Sequence, residues 1–145
     1  MLLQPALPYD LDFFEPHKDD IAEAQAAGIE WRDNIEFAIT KGCLSVFDEY
    51  HGVIALGGND GDQCWFVTEE RVDALTRSER LVFRKVICEY RDSLLKQYPV
   101  LWNYVWVGNQ NHIRFLKTIG ATFHEEFTES PITGERFQLF TITGG

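Results

Sequence analysis

The sequence predicts a single α+β domain built on a mixed, twisted sheet of about six to seven strands with helices on both faces. Three observations carry this expectation. Between residues 43 and 67, three short β-rich runs are separated only by turn residues, which reads as an antiparallel meander. From Thr76 to Tyr98 the period changes: Phe83, Val86, Ile87, Tyr90, Leu94 and Tyr98 line one face of a long helix that Pro99 stops. After it come a strand, a short helix and a hairpin, an order in which the right-handed crossover lays the long helix on one face of the sheet. The 145 residues, 45% of them hydrophobic, suffice for one core and are too few for two ordinary domains, so 1–145 is read as one unit.

The elements follow in order. Glu15-Pro16-His17-Lys18-Asp19-Asp20 opens a helix, with Pro in the first turn and two acids near the positive end of the dipole, and Gly28 closes it. A second helix is expected from about Asp33 to Thr40, ended by Gly42. Cys43 to Phe47 and His51 to Leu56 read as strands joined by Asp48-Glu49-Tyr50. Gly57-Gly58-Asn59-Asp60-Gly61-Asp62 reads as a turn cluster before the third strand, Gln63 to Val67; it lacks the spaced ligands and distal Glu of a calcium loop. Trp102 to Val107 is aromatic and β-branched, hence a strand. On it Trp102, Tyr104 and Trp106 share one face, which must be covered by helices or by a partner. Thr122 to Phe127 and Arg136 to Ile142 form the closing hairpin, looped through Thr128 to Glu135.

Charge is unevenly spread within a net −10. Residues 1–75 hold 16 acidic and 4 basic residues, a balance of −12, whereas 76–145 hold 7 acidic and 9 basic, a balance of +2. Overall acidity argues against nucleic-acid binding, which rests on phosphate neutralisation. Cys43, Cys64 and Cys88 are widely spaced in apolar segments, as reduced thiols in a reducing compartment are, with no zinc or disulfide pattern. No apolar run approaches a membrane span, and residues 1–12 carry no signal-peptide pattern, so neither membrane nor metal is expected.

The richest stretch is Val107-Gly108-Asn109-Gln110-Asn111-His112-Ile113-Arg114-Phe115-Leu116-Lys117-Thr118-Ile119-Gly120. A strand end, an amphipathic helix and an Asn eleven residues before the closing Gly resemble the last motif of the GNAT acyltransferase superfamily, in which that helix packs beside the coenzyme A tail. Longer runs resemble the small internal virion proteins of T-odd short-tailed phages. They are Ala26-Ala27-Gly28-Ile29-Glu30, Gly61-Asp62-Gln63-Cys64-Trp65-Phe66-Val67-Thr68, Trp102-Asn103-Tyr104-Val105-Trp106-Val107-Gly108-Asn109 and His112 to Ala121. The first resemblance implies a GNAT-like fold. The second implies a role in assembling the particle and its internal core, in the host cytoplasm and in the virion, with phage core or portal proteins as partners.

Two departures bear on the chemistry. Enzymes of this superfamily hold a diphosphate on backbone amides of a Gln/Arg-x-x-Gly-x-Gly/Ala loop at the start of the long helix, where glycine permits close approach and the dipole favours an anion. Here residues 69–81 contain no glycine, and only Arg77, Ser78 and Arg80 offer side-chain contacts, against repelling acids such as Glu79. Many of these enzymes also use a Tyr four residues before the closing Gly to protonate the leaving thiolate; that position is Leu116. His112 and, at a strand end, Glu69 are the remaining acid or base candidates. The expectation is a non-enzymatic phage assembly factor with no cofactor. One alternative is an acetyl-coenzyme A-dependent N-acyltransferase in which main-chain groups of Phe66, Val67 and Thr68 hold the pantetheine arm, flanked by Asn109 and His112. A second is a small-ligand-binding module without catalysis.

Overall fold

In the computed structural model, which describes residues 1–144, antiparallel pairing joins every neighbouring pair of strands except the middle one. The strands are β1 (Leu2–Pro5), β2 (Leu44–Asp48), β3 (Gly52–Asp60), β4 (Gln63–Thr68), β5 (Val100–Trp106), β6 (Thr122–Glu129) and β7 (Arg136–Thr143). They form one sheet in the order β1-β2-β3-β4-β5-β7-β6. β4 and β5 are parallel and meet in register at one residue pair, Gln63 with Trp102, after which they diverge. The helices are α1 (Lys18–Ala27), α2 (Trp31–Lys41), α3 (Arg77–Leu95) and α4 (Gln110–Thr118), with 3-10 turns at Pro8–Asp12 and Glu70–Ala74.

The two sheet faces are covered by different helices, as alternation along the strands requires. Leu101, Val105, Phe140 and Ile142 pack with Leu94, Ile113 and Leu116 under α3 and α4, and Val46 and Ala55 continue that layer against Phe83 and Val86. On the opposite face Leu56 and Cys43 pack against Ile35 of α2 together with Ala6, Leu11 and Phe14. Trp102, Tyr104 and Trp106 lie on this second face, half-buried beneath α1.

The sequence reading is refined at four places. β1 was not anticipated: four residues ending in Pro carry little local strand signal, and their conformation is set by pairing with β2, Leu2 against Phe47. Gly57 and Gly58 lie inside β3 and are not part of a turn. A Cβ on Gly57 would stand 2.9 Å from the Phe66 Cβ, so the residue serves close strand approach. α1 starts after Pro16, because the imidazole of His17 is its N-cap and accepts from the Asp19 N–H (3.1 Å). α3 stops at Leu95, one turn short of Pro99.

A clasp ties the β6–β7 loop to the end of α1. Ser130 Oγ donates to the Ala27 carbonyl (3.0 Å) and Thr133 Oγ1 donates to the Ala26 carbonyl, using acceptors that a helix end leaves free. Gly28, at φ +75°, lets Ile132 lie against the helix end, since a Cβ there would meet the Ile132 side chain at 2.7 Å. At the centre of the sheet Leu101 is 1% exposed. Leu101→Ala is expected to cost about 2–5 kcal/mol in urea unfolding; a loss within the scatter of a surface substitution would place the core elsewhere.

Candidate functional site

The divergence of β4 and β5 exposes main-chain groups at the strand ends, and every such group needs a partner. α1 supplies them with two carboxylates one turn apart. Asp20 Oδ2 accepts from both the Thr68 amide (2.8 Å) and the Thr68 hydroxyl (2.7 Å), while Glu23 Oε1 accepts from the Trp106 amide (3.0 Å). Asn109 completes the junction. Its Oδ1 caps α4 by accepting from the His112 amide (3.2 Å), and its Nδ2 reaches Asp20 Oδ1 and the Asp19 carbonyl (each 3.4 Å). Asn109 is 2% exposed.

His112 stands behind this junction. Its ring meets the Phe66 ring edge-on at 4.7 Å between centroids, and its Nδ1 lies 3.6 Å from Glu23 Oε2, an ion-pair separation longer than a hydrogen bond. Nδ1 is buried and makes no hydrogen bond. Burial by itself would push the imidazole down, but Glu23, and behind it Asp20, outweigh it and hold the group above its ordinary value of 6.5. The carboxylate partner that the sequence left unassigned is thus Glu23, from a helix some ninety residues away in the chain.

The start of α3 is closed by its own side chains. Thr76 Oγ1 accepts from the Glu79 amide (3.2 Å) and Glu79 Oε1 accepts from the Thr76 amide (2.9 Å), a capping box that sets a carboxylate at the positive end of the dipole. Arg80 turns back to donate to the Leu75 (3.2 Å) and Asp73 (3.1 Å) carbonyls. Arg77 and Arg80 line a groove of about 400 Å³ between α3 and α4, along with Phe66, Thr68, Asn109 and His112; Ser78 lies outside it, and Val67 lines the second cavity described below. Asp19, Asp20 and Asp73 line the same groove, so its charge is mixed. Glu69 is elsewhere: 1% exposed, it accepts from the Arg71 amide (2.9 Å) and pairs with Arg71 Nε (2.6 Å) at the start of the second 3-10 turn. Leu116, in the position resembling that of the enzymes' Tyr, is 2% exposed in the core.

A second cavity of about 280 Å³ runs through the gap between the strands, lined mostly by apolar groups such as Trp65, Phe66, Val67, Tyr104 and Phe140. Cys64 borders it, and burial pushes its thiol up to about 11, as befits an inert reduced cysteine. Among the described residues one group, Asp48, His51 and Glu79, brings three metal-capable side chains within 4.8 Å of one another. Its carboxylates are already engaged: Asp48 Oδ2 accepts from the Tyr50 (3.3 Å) and His51 (3.1 Å) amides and from His51 Nδ1 (2.5 Å), and Glu79 caps α3. Asp20 and Glu23 were not anticipated as site residues from the sequence. Their only local signal is an i, i+3 spacing of acids on one helix face, which surface helices commonly share.

This fold is that of the GNAT acetyltransferases. A ribosomal-protein-alanine N-acetyltransferase from Brucella melitensis superposes with a TM-score of 0.60 over 99% of this chain and 100% of its own, at 13% identity. A spermidine N-acetyltransferase SpeG variant from Vibrio cholerae gives 0.57 over 99% and 95%, at 13% identity, and YjaB from Escherichia coli gives 0.55 over the whole of both chains, at 11% identity. At such identities the likeness is one of fold. The sequence itself is more specific: residues 44–128 match the family described as bacteriophage T7, probable scaffold protein Gp13. The chain is 50% identical to the probable scaffold protein gp13 of Escherichia phage T7 over 100% of its own length and 99% of that protein's. It belongs to this family.

The His112–Glu23 pair has a definite pH signature. Because the folded pKa is raised, the pair's stabilisation is complete below the ordinary imidazole range and is lost as pH rises through the raised value. In Glu23→Gln burial is opposed only by Asp20, so the His112 ring titration followed by NMR is expected at lower pH than in the wild type. An unmoved titration would break the pairing.

Proposed function

We propose that this protein serves virion morphogenesis through protein contacts, without acyl transfer. Membership of the T7 Gp13 scaffold-protein family supports the morphogenesis role. The observation that carries the rest is the Asp20 carboxylate bonded to the amide and hydroxyl of Thr68. An arm of pantetheine laid along β4 would have to displace a charged acceptor that makes two short bonds, and would leave that half-buried carboxylate with only the longer contact from Asn109 Nδ2 (3.4 Å). Two further features point the same way. The helix start that would receive a diphosphate presents Glu79 in its own capping box, and no glycine in residues 69–81 allows close backbone approach. Residue 116 is a leucine, whose side chain has no proton to donate. These residues do not fit coenzyme A, and no cofactor enters the proposed function.

The partners in this reading are core or portal proteins of the same phage, met in the host cytoplasm during assembly and, where the protein is retained, in the particle. Among the described residues no helix is long and apolar enough to cross a membrane. The apolar cavity between β4 and β5 favours one second reading, a non-catalytic small-ligand module.

Calorimetric titration with acetyl-coenzyme A is expected to give no saturable heat at millimolar ligand; saturable binding lost in Asn109→Ala would favour the acyltransferase. In pull-downs against the core and portal proteins of the same genome, at least one complex is expected, weakening as salt rises past about 0.15 M. Binding to none of them would end the assembly reading.

A further inference from the structure

The chain carries two exposed apolar patches of opposite charge on opposite sides of the sheet. The first is the segment between β1 and α1. Its inner residues Leu11 and Phe14 are each 2% exposed, and its outer residues Leu7, Tyr9 and Phe13 are 42%, 65% and 83% exposed. The segment is held in place. Asp10 accepts from the Leu7 amide (2.8 Å), Arg32 of α2 donates to the Leu11 carbonyl (3.4 Å), and the Phe14 ring tilts against Trp31 at 6.5 Å. Aromatic side chains with two χ angles on a backbone fixed in this way lose little entropy on binding, which is what makes them effective anchors at interfaces. Asp10, Asp12 and Glu15 surround them, and no Lys or Arg precedes Lys18.

The second patch is the N-terminal half of α3, on the other face. Leu81 and Val82, 52% and 45% exposed, lie among Arg77, Arg84 and Lys85. Among the described residues none of these three cations is in an ion pair, nor are Asp10, Asp12 and Glu15. Of the acids beside it, Glu79 is turned back into the α3 cap, and Asp73, which lines the groove with Arg77, Leu81 and Arg84, pairs with His17 Nε2 (2.8 Å). Asp12 and Glu15, exposed and in no ion pair, thus flank three apolar anchors on one side, with Asp10 turned into its own cap, and Arg77, Arg84 and Lys85 flank two apolar side chains on the other.

We infer that these patches bind each other between copies, so that the Leu7–Glu15 segment of one molecule docks on the Arg77–Lys85 surface of the next. One molecule cannot close the contact on itself, because the sheet separates the two patches. The contact is therefore heterologous, and it propagates copy to copy unless the rotation closes a ring. A membrane fits the first patch poorly, since anionic headgroups repel its acids. A second copy offers the matching sign together with exposed apolar area. The inference is independent of which virion protein is the partner: failure here leaves the core and portal pull-downs to be judged on their own.

Sedimentation velocity tests it with two double variants, Tyr9→Ser/Phe13→Ser and Leu81→Ser/Lys85→Glu, both altered only at exposed positions. Wild-type mass should rise at least twofold with concentration and fall back as salt rises. Each variant alone should remain monomeric, with a thermal midpoint close to wild type. Mixed in equal amounts, the two should give a dimer and nothing larger, because one intact pair of patches remains. If either double variant fails to fold, the charge exchange Glu15→Lys with Lys85→Glu replaces it: each single change should weaken association and the pair combined in one chain should restore it. Wild type that stays monomeric at every concentration, variants that assemble like wild type, or a mixture that stays monomeric would each overturn the inference.

Discussion

The junction at which β4 and β5 part governs this molecule. Parallel strands that pair at a single residue leave backbone donors in the interior, and the fold is stable only because something accepts them. Here the acceptors are Asp20 and Glu23, delivered by α1 from one side, with Asn109 and His112 arriving on α4 from the other. Four elements, two strands and two helices, therefore meet through a polar cluster in the middle of an otherwise apolar core. A half-buried charge of this kind is costly unless partnered, and Asp20 has three donors within reach while Glu23 has one amide and the His112 ring. The same opening that admits a ligand in a binding protein is used in this chain to fasten the architecture.

The fold and the chemistry can thus be separated. The sheet order, the crossover helix and the Asn-capped α4 are those of an acyltransferase scaffold, and they follow from packing: Leu101, Val105, Ile113 and Leu116 would be needed whatever the protein did. What differs lies in a handful of side chains. Glu79 stands at the start of α3, Leu116 fills the core, and carboxylates occupy the cleft. None of these side chains disturbs the core, and a fold of this kind does not by itself fix an activity.

Much of this was legible in the residues. The apolar period of α3, the β-branched run of β5 and the amphipathic run between Asn109 and Gly120 are local signals, and each produced the element it announced. The missing glycines and Leu116 were equally plain. Illegible were the features that depend on distant chain segments. β1 exists because β2 offers it an edge, and the strands' divergence emerges only when the whole sheet is assembled. Asp20 and Glu23 look like ordinary solvated acids near a helix start until the fold brings Thr68 and Trp106 beside them. His112 likewise lacked a visible counterion because Glu23 is remote in sequence. The site was therefore half readable: its α4 side came from a local motif, and its α1 side came from tertiary geometry.

The clasp at the end of α1 extends the consequence. That helix is fixed at its start by the His17 amide on the Thr68 carbonyl (2.8 Å), along its middle by the two acids in the cleft, and at its finish by Ser130 and Thr133. A segment secured at three levels is held against swinging as a unit, because any such motion breaks hydrogen bonds at its start, middle and end together. The same helix borders both cavities, so the walls of those cavities are set by the bonds that hold the domain together.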